Sequence, residues 1–359
     1  MSASTRLTIV HAVFSSRLAG GERHCVDLAQ AQAAMGHRVH IVGPSKSAVR
    51  HAVGPDVQYH GIALPLLRGP RFSRIARKLG ADVCHGHLGP ACKAVAQATS
   101  ATRIGTLHVG YKPHHHATMD GVICVNSAQR ARLGDFGGES KVIFNWAPQR
   151  DESDAGDLRA ELGLRPEQML VGSLGRLNHA KGMDFLVQAF RASAPADAVL
   201  AILGEGEEMG ALQRLADGDP RVRLLGFRSD VNAALAAMDL FVSASREEAF
   251  PLAILEAMRA GVPVIASATQ GPLEMLANQP ARIVPIGDVP ALGDAIAATL
   301  ARIGALPRAQ RQPVAYDVSA YDRTTAVGRT IAFYRQVTAQ RRMHGVAEPT
   351  RAASRVGHA

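Results

Sequence analysis

DLFVSASREEAFPLAILEAMRAGVPVIAS, residues 239–267, reads in order as strand, loop, helix and strand. DLFVSA and VPVIAS are short apolar runs of the kind shown by strands buried on both faces. Between them, PLAILEAMRA has helical spacing, with Leu252, Leu255 and Met258 on one packed face. Pro251 suits the first helical position and Gly261 lies just past the end, so a helix is expected from about Pro251 to Ala260. Strand, helix, strand is the unit of a parallel sheet covered by helices. Glu248 then falls in the loop at the strand end, near the helix N-terminus. Glu256 lies about one and a half turns in, and the tilt of helical side chains toward the N-terminus lets it reach the same end. An ionised carboxylate only accepts hydrogen bonds, so two acids here suit sugar hydroxyls and the paired hydroxyls of a ribose. The plainer alternative makes Glu247 and Glu248 solvated loop charges and Glu256 an exposed helix residue. The apolar neighbours of Glu256 oppose the latter.

The same alternation extends in both directions. Upstream stand the strand-like runs MLVGSLG, AVLAILG and VRLLGF, separated by the helical stretches GMDFLVQAF, EEMGALQRLA and DVNAALAAM. A last strand is expected near ARIVPI and a helix from about Pro290. The first half repeats the pattern with LTIVHAV, HRVHIVG, DVCHGHL, TRIGTLHV, DGVICVN and KVIFN, and GERHCVDLAQAQAAMG is its first helix. The expected organisation is therefore an N-terminal Rossmann-like domain over 1–149, an acidic linker over 150–157 and a second Rossmann-like domain over 158–316. Closing helices over 317–342, returning to the N-terminal domain, and a disordered tail over 343–359 complete it. Two doubly wound α/β domains take ligands at the carboxyl ends of their strands, which places a site in the cleft between them.

Composition narrows the partners. Residues 1–150 hold 18 Lys and Arg against 7 Asp and Glu, whereas the remainder holds 22 against 24. The first half is built to face anions. Aromatic residues are only 4% of the chain, which leaves little to stack bases on and disfavours nucleic acid. Cys25, Cys84, Cys92 and Cys124 show no CxxC pair, so a reducing, cytoplasmic setting is expected, without a zinc site or disulfide framework. The N-terminal apolar stretch is short and interrupted by His11, so it is read as a first strand rather than a leader. No run approaches the roughly 18 apolar residues of a membrane span. LPLLRGPRFSRIARKLG, residues 64–80, is cationic and amphipathic, and suits an anionic membrane surface or a solvated helix face.

GRLNHAKG, residues 175–182, leaves a strand with Arg176 and Lys181 in the turn and opens a helix at Gly182. Two cations beside a helix N-terminus suit a diphosphate, although loops after strands also carry solvated cations. DGD at 217–219 precedes Pro220 in a polar turn and is read as a loop rather than a metal site. His114, His115 and His116 lack an accompanying acid or thiol, and no metal is assigned. His85 and His87 share one strand face and are read as satisfied packing residues. LGEGEEMG misses the spacing of a dinucleotide fingerprint, and Glu205, Glu207 and Glu208 would repel a pyrophosphate, so an NAD enzyme is disfavoured.

REEAFPLAILEAMRAGVPVIAS resembles the E-x7-E segment of retaining glycosyltransferases of the GT-B fold, in the family four group. GGERHCVDLAQAQAAMGHRV, DVCHGHL, TLH, GRLNHAKG, LGEGEE and GFRSDV resemble further segments of that family, in the same order, over roughly residues 6–300. The resemblance implies a donor-binding C-terminal domain and an acceptor-binding N-terminal domain. It makes Arg176 and Lys181 a diphosphate clamp, Glu248 a donor-sugar contact and Glu256 a ribose contact. Gly20 and Gly21 would lie near the phosphates and acceptor, and His108 at the reacting centre. Gly204, Phe227, Arg228, Ala249, Phe250, Pro251 and Leu252 would complete the donor site. Pro251, where many members have Gly, and QGPLE at 270–274 depart from the commonest pattern, so sugar identity does not transfer.

The implied activity is a metal-independent, retaining transfer of a hexosyl unit from a UDP- or GDP-sugar to a hydroxyl of a glycan or lipid-linked acceptor. The setting would be cell-surface polysaccharide or lipopolysaccharide synthesis, with no cofactor, in the cytoplasm or at the inner face of the plasma membrane. A same-fold nucleotide-sugar epimerase or phosphorylase, or a non-catalytic nucleotide-sugar-binding module, is the alternative.

Overall fold

In the computed structural model, which describes residues 6–63, 67–147 and 156–346, the apolar runs become the strands of two parallel sheets. The first contains β1 (Thr8–Val13), β2 (Arg38–Pro44), β3 (Val57–Ile62), β4 (Val83–His87), β5 (Thr102–Leu107), β6 (Gly121–Cys124) and β7 (Glu139–Val142). Their order is β3-β2-β1-β4-β5-β6-β7. The second contains β8 (Leu170–Leu174), β9 (Val199–Leu203), β10 (Val222–Leu224), β11 (Leu240–Ser243), β12 (Val264–Ser267) and β13 (Arg282–Val284), in the order β10-β9-β8-β11-β12-β13. Each sheet winds outward in both directions from its first strand. The order therefore reverses beside β1 and β8, where the strand ends open a crevice.

β1 is buried along its whole length, as a central strand must be. β3 was not among the expected strands. Gln58, His60 and Gly61 interrupt its pattern, and as an edge strand it buries only Val57 and Ile62. The helix after β11 spans Leu252–Arg259, so Pro251 occupies the cap rather than the first helical position. Its ψ of 86° is extended while its carbonyl already accepts from Leu255 N at 3.2 Å, which is the geometry of a cap residue. Gly261 ends the helix with φ of 67°.

After a 3-10 turn at Ser319–Tyr321, one long helix, Arg323–Val346, crosses back to the first sheet. Met343 and the residues to Val346, assigned to the tail by sequence, continue this helix. Phe333, Tyr334 and Val337 are buried with Ile9, Val83 and Ile104, and Arg323 Nη2 donates to Asp27 Oδ1 at 2.6 Å. The polar linker at 150–155, the tail from 347 to 359 and residues 64–66 of the basic stretch lie outside the described residues. Asp157 caps the helix Leu158–Glu161 by accepting from Arg159 N and Ala160 N at 3.1 Å.

The second domain is closed on itself by Asp239. Its carboxylate, 1% exposed, accepts from Arg159 at 2.9 Å and from both Arg308 and Arg311 at 2.7 Å. A buried carboxylate needs such partners, and here they tie the beginning of the domain to its end. Between the two domains, Phe144, Phe250 and Tyr321 meet in tilted and edge-to-face contacts with centroids 5.4–6.4 Å apart, in a cluster that also takes Val125 and Ala147.

Candidate functional site

Three loops at the carboxyl ends of β8, β9 and β11 interlock through their backbones. Gly175 N donates to Leu203 O at 3.0 Å, Leu177 N to Glu205 O at 2.9 Å and Glu208 N to Leu177 O at 3.1 Å. A Cβ on Gly204 would stand 1.8 Å from Gly175 O, so only glycine lets the β9 loop lie this close. Ala180 O accepts from Arg246 N at 2.8 Å and Glu247 N at 3.2 Å, which joins the β11 loop to the other two. Gly182, at φ of 59°, would place a Cβ 2.1 Å from Ala244 O. It caps the helix Met183–Ser193 in a left-handed conformation, with a 3-10 turn over His179–Lys181 before it.

This framework sets Lys181 against Glu248, and the lysine ammonium donates to Glu248 Oε2. Their side chains are 30% and 12% exposed. Arg176 is exposed on the same turn, and its guanidinium pairs with no described residue. Glu256 is buried, 7% exposed, beside the core residues Leu255 and Met258. Phe227 is a largely exposed ring. Arg228, by contrast, is engaged by Asp230 at 2.6 Å and Glu161 at 2.8 Å, and these carboxylates raise its pKa. A guanidinium held this way positions the loop rather than offering free donors.

The other wall of the cleft begins at Gly20 and Gly21, the first residues of the helix Gly20–Ala34. A Cβ on Gly20 would lie 3.5 Å from Leu252 Cδ1, and one on Gly21 would lie 3.5 Å from His108 Cγ. Expected donor and acceptor residues thus meet at this helix start. Asn126 Nδ2 donates across the cleft to Ala249 O at 2.7 Å, and Gly271 N donates to Glu248 O at 2.9 Å.

Behind His108 runs a hydrogen-bonded chain that sequence reading did not assemble. Tyr334 OH meets Gln32 Nε2 at 3.3 Å, Gln32 Oε1 meets His11 Nε2 at 2.8 Å, His11 Nδ1 meets His87 Nε2 at 3.0 Å and His87 Nδ1 meets His108 Nε2 at 3.2 Å. His85 branches from it to Tyr334 OH at 2.5 Å and Thr106 Oγ1 at 2.7 Å. Burial lowers the pKa of His11 and His108 to about 4, and burial together with the neighbouring histidines holds those of His24, His85 and His87 well below the ordinary value. Neutral rings each offer one donor and one acceptor, which is what a continuous chain requires. The alternation His85-Gly86-His87 and the pairing of His11 with His85 across β1 and β4 were the available signals. The partners Gln32 and Tyr334 are too distant in sequence to be read.

The discounted motifs have structural roles. Asp219 pairs with Arg221 at 2.8 Å, and Asp217 ends a helix at φ of 48°. His116 is buried and accepts from Lys112 N at 3.0 Å, while His114 is exposed. Beyond β1 and β2 an open surface depression is lined by Ser16, Lys46, Ser47, Arg50 and His51. The basic stretch forms a helix, Arg68–Leu79, that buries Phe72 and Ala76 and exposes Arg74, Arg77 and Lys78. Among the described residues no helix is long and apolar enough to cross a membrane.

Residues 168–302 match the family described as Glycosyl transferases group 1, and residues 18–147 match Glycosyltransferase Family 4. The chain is similar to the lipopolysaccharide core biosynthesis glycosyltransferase LpsE of Rhizobium meliloti (strain 1021), 29% identical over 292 residues that cover 77% of this chain and 84% of that protein. It is also similar to the lipopolysaccharide core biosynthesis mannosyltransferase LpsB of the same organism, 28% identical over 317 residues covering 79% and 85%. Among solved structures, Anabaena HepE in complex with UDP-glucose matches with a TM-score of 0.74 at 21% identity, over 91% of this chain and 100% of that one. Two facing Rossmann-like domains, both family matches and these relatives agree: the chain belongs to the group 1, or family four, glycosyltransferases and has the GT-B fold.

Proposed function

We propose that the protein is a metal-independent, retaining glycosyltransferase that moves a hexosyl unit from a UDP- or GDP-sugar to a hydroxyl of a glycan or lipid-linked acceptor, in cell-surface polysaccharide or lipopolysaccharide synthesis. The observation that carries this reading is the contact of Lys181 with Glu248 beside Arg176, whose guanidinium pairs with no described residue, in a turn fixed by three interlocked loops. Breaking the bond between sugar and diphosphate puts negative charge on the leaving oxygens. Fixed cations in a cleft that excludes water stabilise that charge more than they stabilise the ground state. Glu248 would exchange the lysine for sugar hydroxyls as the diphosphate takes the cation. Retention implies attack on the face the leaving group vacates, with the diphosphate accepting the proton of the acceptor hydroxyl.

The names of LpsE and LpsB support a lipopolysaccharide core acceptor, and the HepE complex supports a UDP-sugar donor. The basic surface depression at Lys46, Arg50 and His51 favours an acceptor bearing phosphate or carboxylate. Arg74, Arg77 and Lys78 would face anionic headgroups at the inner face of the plasma membrane, and flotation with vesicles containing anionic lipid checks that association. The donor is tested by thermal stabilisation with UDP- and GDP-sugars, since a ligand at 100 times its Kd adds about 2.7 kcal/mol. Product analysis by NMR then reads the anomeric configuration. A protein that neither gains stability from any nucleotide sugar nor transfers one defeats the proposal.

A further inference from the structure

We propose that His24, His87 and His108 bind a divalent transition-metal ion, zinc foremost, and that an ion held there inhibits transfer. One ring nitrogen from each of these three residues lies within 4.8 Å of the others, and His87 Nδ1 is already 3.2 Å from His108 Nε2. Tetrahedral zinc at 2.0–2.1 Å from each nitrogen sets its donors about 3.4 Å apart and the ring centres roughly 5 Å apart. The centres here are separated by 5.2 Å for His24 and His108, 5.5 Å for His87 and His108 and 6.0 Å for His24 and His87. The His24 and His87 rings would have to approach by about 1 Å to close the set on an ion.

The surroundings are those of a ligand set. His24 makes ring contacts, including one with Trp146 at 4.6 Å, and its nitrogens hydrogen-bond to none of the described residues. His87 is oriented from behind by His11, itself held by Gln32, and such outer partners fix the tautomer and aim of a ligating ring. His24 and His108 are only half-buried, which gives an ion a route in. The neighbouring trio His11, Cys25 and His87 is buried throughout, and burial pushes the Cys25 thiol away from the thiolate that binds metal. An ion on the first trio would engage a ring nitrogen of His108, whose Cγ lies 3.5 Å from the Gly21 Cβ position, beside the expected place of the acceptor hydroxyl. The inhibitory half of the proposal therefore rests on the proposed function, and the ion site does not.

The test is titration of the chelator-stripped full chain with Co²⁺, followed by its visible ligand-field bands, and with Zn²⁺ by calorimetry. One ion per chain is expected, with affinity weakened on the order of a hundredfold in His24→Gln. The double substitution of His114→Ala with His115→Ala should leave binding unchanged. Absence of binding, a Co²⁺ affinity unchanged in His24→Gln, or bands lost in the His114 and His115 variant each overturn the site. For the second half, Zn²⁺ should suppress transfer reversibly with EDTA in the natural chain, and the ratio of activities with and without EDTA should approach one in His24→Gln. Zinc binding that leaves transfer untouched overturns the inhibition. Because binding is read without any sugar, a chain inactive toward every donor tried still decides the ion site.

Discussion

Replacing Lys181 by Met retains the length of the side chain and removes its charge. Before donor binds, that charge is bonded to Glu248, but the pair is partly open to water, at 30% and 12% exposed. Pairs of this kind contribute about 0–1 kcal/mol, so opening it for a diphosphate costs little. The incoming phosphate gains more. Two unit charges about 4 Å apart interact by about 4 kcal/mol at an effective dielectric of 20. Loss of one preorganised charge donor to a transition state typically costs about 2.7–4 kcal/mol. At tenfold per 1.36 kcal/mol, Lys181→Met should lower kcat by about 10²–10³. Folding should change by no more than about 1 kcal/mol, or about 2–4 °C in Tm for domains of this size. The assay is steady-state release of nucleoside diphosphate in the presence of acceptor, with Lys181→Arg as the charge-retaining comparison. A kcat within about threefold of the natural chain, in a variant of normal Tm, refutes the role assigned to Lys181.

Gly204→Ala would drive a Cβ to 1.8 Å from Gly175 O at a φ of 143°, so it should cost about 3 kcal/mol or more by chemical denaturation and abolish stabilisation by donor. Burial holds His40 and His116, each 3% exposed, at pKa of about 4 against an ordinary 6.5. The unfolded chain then binds more protons between those values, so the stability from neutral burial is complete above pH 6.5 and is lost as pH falls toward 4, by up to about 3 kcal/mol per residue. Urea midpoints measured from pH 7.5 to 5 should fall steadily, and a flat profile contradicts this. Asn126→Ala removes both the cap on Gln129 N at 2.7 Å and the bridge to Ala249 O, whereas Asn126→Ser keeps a cap and loses the bridge. Both should lower kcat/KM about tenfold, consistent with the loss of one hydrogen bond, but only Ala should lose about 1 kcal/mol of stability.

The six strands of the second sheet were all legible because each is a short apolar run followed by a turn residue, and buried parallel strands need nothing else. β3 was missed for the complementary reason: an edge strand tolerates Gln58 and His60 because one side of it has no neighbouring strand. The likeness to a family supplied Lys181 and Glu248 as separate roles, one for phosphate and one for sugar. Their direct contact was not legible, since it depends on how closely Gly182 and Gly204 let three loops approach. Arg228 shows the same limit, because Glu161 is remote in sequence and its pairing is a property of the folded domain. Pro251 was displaced by one position because proline suits both the cap and the first helical residue, and only ψ separates them.

The loop from Glu248 to Leu252 touches nearly every part of the cleft. Glu248 reaches Lys181, Glu248 O takes the amide of Gly271, Ala249 O takes the amide of Asn126, and Leu252 stands against the Gly20 position. Phe250, in the middle, is packed on Phe144 and Tyr321 between the domains. Such a loop cannot adjust to a bound sugar at one residue without disturbing the rest, because packed contacts have few alternative arrangements. If a diphosphate takes Lys181 from Glu248, as the proposed function has it, the strap by which the second domain holds Asn126 and approaches Gly20 must change with it. On the proposed function, donor occupancy and the geometry offered to the acceptor would be coupled through this one segment.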